Sequence, residues 1–141
     1  MTYTSRMKLL VDSDYLVGAF RIDDSHYVVA KDVLGKASAK GHALYVLSLV
    51  LQETATVLSH RTGMNAVVLF RERYEDLHMH IIRLDEALEG WSWQIFLNQK
   101  KKGTSFVDCA NLATIQTYKL NGILSFDHFY PSSLRITSVK Q

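Results

Sequence analysis

Four carboxylates in this chain stand where chemistry could be done. Asp12 follows the run Leu9-Leu10-Val11, Glu53 follows Leu49-Val50-Leu51-Gln52, Asp108 follows Thr104-Ser105-Phe106-Val107, and Asp127 follows Ile123-Leu124-Ser125-Phe126. Singly, each has an ordinary structural use. Asp12 would cap a helix, Ser105-x-x-Asp108 is a variant of a capping box, Glu53 would face solvent, and Asp127 would shape a turn before Pro131. Together they are harder to dismiss, because Asp12, Asp108 and Asp127 adjoin runs that must be core. Carboxylates held close together repel, by roughly 4 kcal/mol for two charges about 4 Å apart at an effective dielectric near 20. Such a cluster persists by taking up protons or by holding a cation. Oxygen ligands with no His or Cys suit Mg²⁺ or Mn²⁺.

The elements that must position these acids alternate along the chain. Strands are predicted over Met7–Val11, Ala43–Leu47, His80–Leu84 and Ile123–Phe126, with a fifth, edge strand over Leu134–Val139. Helices are predicted over Tyr15–Phe20, Ser25–Ala39, Leu49–Arg61, Asn65–Glu75, Glu86–Lys102 and Phe106–Leu120. Ser48, Asp85 and Thr104 or Ser105 are candidate N-caps, Asp23, Asp24 and Ser25 open the second helix, and Gly63 is placed to end the third. Lys100 to Lys102 would sit at a helix C-terminus, where the dipole favours them. Strands separated by helices imply right-handed crossovers, hence an α/β fold: a three-layer α/β/α sandwich around a mainly parallel five-stranded sheet. Ligands of such sheets bind at the carboxyl ends of the strands. Asp12, Asp127 and Glu53 belong at that end, whereas Asp108 opens a helix that follows another helix, so the pattern alone does not place it.

Composition bounds the answer. The chain of 141 residues is read as a single domain spanning 1–141, 48% hydrophobic and 21% charged, an ordinary globular balance. The formal net charge of +2 neither demands nor excludes a polyanionic partner. One cysteine, Cys109, excludes an internal disulfide and a Cys-based zinc site. Met1 to Lys8 lacks the apolar core of a signal peptide, and no run of 18 apolar residues occurs, so the expected setting is the cytoplasm, without a membrane.

Leu9-Leu10-Val11-Asp12-Ser13-Asp14, Leu49 to Glu53, Thr104 to Ala110 and Ile123 to Asp127, in this order and spacing, resemble the PIN-domain nucleases, and within them the VapC-like toxins of toxin–antitoxin pairs. The resemblance runs from Lys8 to about Arg135. It implies that Asp12, Glu53, Asp108 and Asp127 match the four acids of that family's metal site, with Ser13 and Ser125 at small hydroxyl-bearing positions beside it. Asp12 and Asp108 are assigned direct ligation of Mg²⁺ or Mn²⁺, and Glu53 and Asp127 complete the site directly or through water. Such a cation lowers the pKa of its water and neutralises phosphate oxygens. The implied activity is an endoribonuclease leaving a 5′-phosphate and a 3′-hydroxyl, a homodimer inhibited by an antitoxin protein. Leu34, Val67, Val68, Leu69 and Phe70, on the second to fourth helices, are candidates for the antitoxin's apolar groove. Departures from the family pattern are the extra acid Asp14, the neutral Asn111 about one turn after Asp108, and the pair Phe129-Tyr130, which leaves the alignment after Asp127 ambiguous.

An RNA substrate needs positive or polar partners. Candidates are Arg21, Lys31, Lys36, Lys40, Arg61, Arg71, Arg73 and Lys100 to Lys102, each of which could equally be a solvated charge. Asn111, Ser13, Ser125 and His128 are the polar candidates for substrate contact, with orienting a metal ligand as the alternative role of Ser125, while His78-x-His80 lacks a third ligand and reads as structural. Tyr15, Phe20, Trp91, Trp93, Phe96 and Tyr118 read mostly as helix residues packed in the core. Two other classes stay open. A degenerate fold of the same family would bind RNA or protein without cutting. Asp12-Ser13-Asp14 also resembles the Asp-x-Asp of haloacid-dehalogenase-type phosphatases, and a phosphorylated receiver domain would use an acidic pair there, but neither finds its lysine in place.

Overall fold

A computed structural model describes residues 6–139. Most of the N-terminal stretch read for a targeting signal, residues 1–5, and residues 140–141 lie outside it. The elements are β1 (Lys8–Val11), α1 (Ser13–Ala19), α2 (Tyr27–Ala39), β2 (Ala43–Leu47), α3 (Ser48–Arg61), α4 (Met64–Arg73) with a 3-10 turn (Tyr74–Leu77), β3 (His80–Ile82), α5 (Glu86–Leu97), α6 (Phe106–Tyr118), β4 (Gly122–Leu124) and β5 (Arg135–Ile136).

The strands form one sheet in the order β3-β2-β1-β4-β5. Every neighbouring pair is parallel, so the expected mainly parallel sheet is parallel throughout. The chain builds outward from β1 through β2 to β3, then returns to β1's other edge with β4. That reversal makes the gap between the carboxyl ends of β1 and β4 a topological switch point. The register there is fixed by Leu10 opposite Ile123 and Val11 opposite Leu124. The Asp12 amide carries the ladder one residue further by donating to the Leu124 carbonyl at 3.0 Å.

Strand residues alternate between faces. Leu9, Val11, Val46 and Leu124 enter the larger apolar cluster, which α1, α2 and α3 close with Tyr15, Leu16, Leu34 and Leu58. Leu10 and Ile123 enter a smaller one with Ile115, Leu120 and Tyr130. Among the described residues no helix is long and apolar enough to cross a membrane.

Local signals decide where several elements stop. Asp85 and Ser105 cap α5 and α6, accepting from the amides of Leu88 and Asp108 at 2.8 and 3.0 Å. Gly63, at φ 112°, makes the break between α3 and α4. Ser48 does not cap α3; it is the helix's first residue, after Leu47. The helix predicted to reach Lys102 ends at Leu97. The side chains of Asn98 and Gln99 donate to the carbonyls of Gln94 and Ile95, taking up groups that another helical turn would have used. Lys100 to Lys102 therefore lie in a loop and not on a helix end. The fifth strand shrinks to two residues beside β4.

At Gly122, the start of β4, the chain around β5 packs against the backbone. A Cβ there would stand 2.5 Å from the Leu134 carbonyl oxygen and 2.9 Å from the Ile136 side chain. Gly122→Ala should lower the free energy of unfolding by about 1–3 kcal/mol, read as a lower midpoint in urea. Gly35→Ala, an exposed helix position with nothing within 4 Å, should raise it by up to about 1 kcal/mol.

Candidate active site

The switch point gathers acids. Asp12 ends β1 and caps α1, accepting from the Ser13 amide at 2.8 Å. Asp14 lies in the first turn of α1. Ser125, Phe126 and Asp127 follow β4 directly. Asp108 lies in the first turn of α6. Three uncharged groups tie these residues together.

Ser125 is wholly buried. Its hydroxyl lies 2.8 Å from Asp12 Oδ2 and 3.2 Å from Asp14 Oδ2, and its oxygen accepts from the Asp127 amide at 3.0 Å. The Phe126 amide donates to the same Asp14 oxygen at 2.8 Å. Asn111, also wholly buried, donates through Nδ2 to Asp12 Oδ1 at 3.3 Å and to the Tyr130 hydroxyl at 3.0 Å. Tyr130 donates in turn to Asp108 Oδ1 at 3.3 Å. Asp12 and Asp108 are thus joined through an amide and a phenol. Asp127 sits at the rim, exposed, accepting from the Phe129 amide at 2.9 Å.

The electrostatics follow from burial without positive charge. Among the described residues no Lys, Arg or His pairs with any of these acids; the ion pairs are Arg21–Asp23, Lys36–Asp32 and Arg71–Glu75, all elsewhere. Burial pushes Asp12 up to about 7, reinforced by the neighbouring Asp14 and by Asp108, against hydrogen bonds from Ser125 and Ser13. Asp14 is pushed up to about 6, again chiefly by burial, with hydrogen bonds from Phe126 and Ser125 opposing. Burial, with Asp127 nearby, also raises Asp108, and burial beside Asp12 and Asp108 raises the Tyr130 phenol, which keeps it a donor. Asp14 Oδ1 and Asn111 Oδ1 are buried without a hydrogen-bond partner.

Not every residue singled out in the sequence joins this network. Glu53 lies on α3, half-buried, outside the hydrogen-bonded cluster. Asn111 and Ser125 are too deeply buried to touch substrate; Asn111 instead orients Asp12, and Ser125 takes the other role expected of it, orienting the carboxylates. Ser13 contributes its amide to Asp12. His128 is exposed and stands 3.2 Å from an Arg135 nitrogen, away from the acids. Conversely, Asp14 and Tyr130 are integral, although the pattern of the sequence gave them no assignment. The alternation Asp12-Ser13-Asp14 across a strand-to-helix junction was the available signal for the first. Nothing local marks the second, since its role depends on Asn111, 19 positions away. Of the groove candidates, Leu34 and Phe70 are core, whereas Val68 and Leu69 are exposed.

Among the described residues no three of His, Cys, Asp and Glu form a ready-made metal cage. The donor set nonetheless fits a hard divalent cation: every candidate ligand is oxygen, the negative charge is uncompensated, and an acidic oxygen is left orphaned inside.

Comparison with known proteins bears on the family and the fold. The family model "PIN domain" matches residues 9–130. The chain belongs to the PIN-domain family. No curated protein matches it in sequence. Among solved structures, VapC20 of Mycobacterium tuberculosis, described as a sarcin-ricin loop cleaving toxin, is similar at a TM-score of 0.74 and 21% identity, over 84% of this chain and 89% of that one. VapBC2 from Rickettsia felis, solved bound to a DNA fragment from its promoter, is similar at a TM-score of 0.66 and 13% identity, over 95% of this chain and 100% of that one. At these identities the likeness is one of fold, and it fits a PIN domain better than the dehalogenase-type or receiver readings of Asp12-Ser13-Asp14.

The raised acids make stability depend on pH in a definite sense. Between the ordinary carboxylate value of 3.8 and about 7 the folded protein holds more protons at Asp12 and Asp14 than the unfolded chain does. Their contribution is full below 3.8 and is lost as pH rises through about 6 and about 7. In EDTA, the chain should melt several degrees lower at pH 8 than Asp14→Asn does, with the gap closing at pH 5. A variant gap that widens toward pH 5 would contradict the assignment.

Proposed function

We propose that this PIN domain is a metal-dependent endoribonuclease and acts as the toxin of a toxin–antitoxin pair. The observation that carries the reading is the carboxylate cluster at the switch point: buried Asp12, half-buried Asp14 and Asp108 and exposed Asp127 linked by neutral donors, with no cationic side chain paired to them among the described residues. In this reading Asp12 and Asp108 would hold Mg²⁺ or Mn²⁺ directly, and Asp127 and Glu53 would complete the site, directly or through water. A divalent cation there supplies positive charge for the phosphate and lowers the pKa of water. The chain's own groups keep the ligands in place. Ser125 and Asn111 fix both oxygens of Asp12, and Tyr130 fixes one of Asp108. Asp127, exposed at the rim, is open to solvent and so within reach of an incoming phosphodiester.

Family membership and the fold shared with VapC20, a sarcin-ricin loop cleaving toxin, support an RNA substrate, and the fold shared with VapBC2 supports an antitoxin partner. An apolar groove between α2 and α4, lined by Phe20, Ile22, Leu34, Leu69 and Leu77, suits an apolar segment of the antitoxin.

With purified protein and structured RNA, cleavage should require Mn²⁺ or Mg²⁺, stop in EDTA, and fall on the order of 100-fold or more in Asp12→Asn. The variant should remain folded by circular dichroism. Full cleavage by a folded Asp12→Asn, with contaminating nuclease excluded, contradicts the assignment; folded wild type that neither cuts nor binds metal favours the binding module.

A further inference from the structure

The turn between α5 and α6 carries a second cluster that the carboxylate site does not use. Trp93 packs against Phe106 at 4.9 Å between ring centroids and against Phe96 at 6.1 Å, and Phe96 meets Phe106 at 5.8 Å. Trp93 is nevertheless 46% exposed, and Leu97, one turn on, is 75% exposed. A tryptophan braced by two phenylalanines and still open to solvent is a rigid aromatic face.

The loop of residues 98–105 leaves this cluster at Phe96 and returns to it at Phe106. It contains Lys100, Lys101 and Lys102 and no acid. All three lysines are exposed, and none makes an ion pair among the described residues. Lys101 is five positions from either phenylalanine, so its Cα lies within about 18 Å of theirs at full extension.

The cluster also lies toward the end of the molecule where the acids gather. α5 and α6 run antiparallel, Trp93 meeting Phe106 near the turn and Trp91 donating to Gln116 further back at 2.8 Å. Asp108, in the first turn of α6, is two residues beyond Phe106. The turn, the aromatic face and the carboxylates therefore share one end of the molecule.

We infer that Trp93, braced by Phe96 and Phe106, is a stacking platform for an unpaired nucleobase, and that Lys100 to Lys102 take the adjoining phosphates of single-stranded RNA on its way to the carboxylate cluster. A π-face beside unpaired cations is the chemistry that holds single-stranded nucleic acid without reading its sequence. The lysines favour a polyanion over a second copy of this chain, which would bring its own lysines to the contact. The inference rests on the nuclease reading for its purpose but can be tested apart from it.

The test is a titration of the full chain in EDTA with a uridine-rich single-stranded RNA, read by tryptophan emission. Binding should quench emission in wild type and in Trp91→Phe. Trp93→Phe should lose the quench and bind about tenfold or more weakly. Lys100, Lys101 and Lys102 replaced together by Gln should reduce the slope of log affinity against log salt by about 2. Circular dichroism and melting of each variant should match wild type. Undiminished binding and cleavage KM in folded Trp93→Phe, beside an inactive Asp12→Asn, overturns the platform and leaves the nuclease standing. RNA binding lost with Trp93 in a protein that never cleaves leaves the platform standing and removes the nuclease. Emission that follows protein concentration instead of RNA assigns the face to contacts between copies and overturns the inference.

Discussion

Asp12 and Asp14 meet at one hydroxyl, and a hydroxyl has one proton to give. Ser125 Oγ is within hydrogen-bonding distance of both, so at least one of these buried carboxylates is left without that donor at any instant. A single hydrogen bond contributes about 1 kcal/mol, whereas an uncompensated buried carboxylate costs several. Hydrogen bonding alone therefore cannot balance the site. It needs protons, which the raised values of Asp12 and Asp14 provide below neutrality, or a cation above it. The surrounding fold keeps that imbalance in place, with Asn111 and Tyr130 as neutral spacers where a lysine or arginine would have discharged it.

Sheet topology is what makes this possible with so short a set of strands. β4 has three residues and β5 two, yet β4 lies between β1 and β5 and is buried throughout. Because β1 and β4 are parallel neighbours, both release their chains on the same side, and the residues that follow them are forced together. α6 enters from the same side, so its first turn brings Asp108 in while its buried middle supplies Asn111.

Much of this was legible in the sequence, for identifiable reasons. Apolar runs stopped by Asp or Gly are strong signals, and β1, β2, α3 and α6 fall within two residues of where they were expected. Asp12 and Asp127 could be assigned to the strand ends because they follow those runs directly. Helix α5 was misjudged because lysine is a good helix former, while the competing bonds of Asn98 and Gln99 to the helix's own carbonyls are not marked by composition. The linking roles of Asn111 and Tyr130 were not legible at all. They depend on which way a buried amide and a phenol point, and that is set by packing between α6 and the chain after β4.

The hydrogen bond between Ser125 and Asp12 joins residues 113 positions apart. It has a consequence for the newly made chain. During synthesis, β1, α1 and α3, with Asp12 and Glu53, leave the ribosome long before α6 and β4. Until α6 and β4 have emerged and β4 has slotted beside β1, Asp108 and Asp127 are missing from the site and Asp12 and Glu53 stand without them. A prematurely terminated product would be in the same condition. Placing β4 more than a hundred residues after β1 ties the assembly of this site to the arrival of its own closing strand.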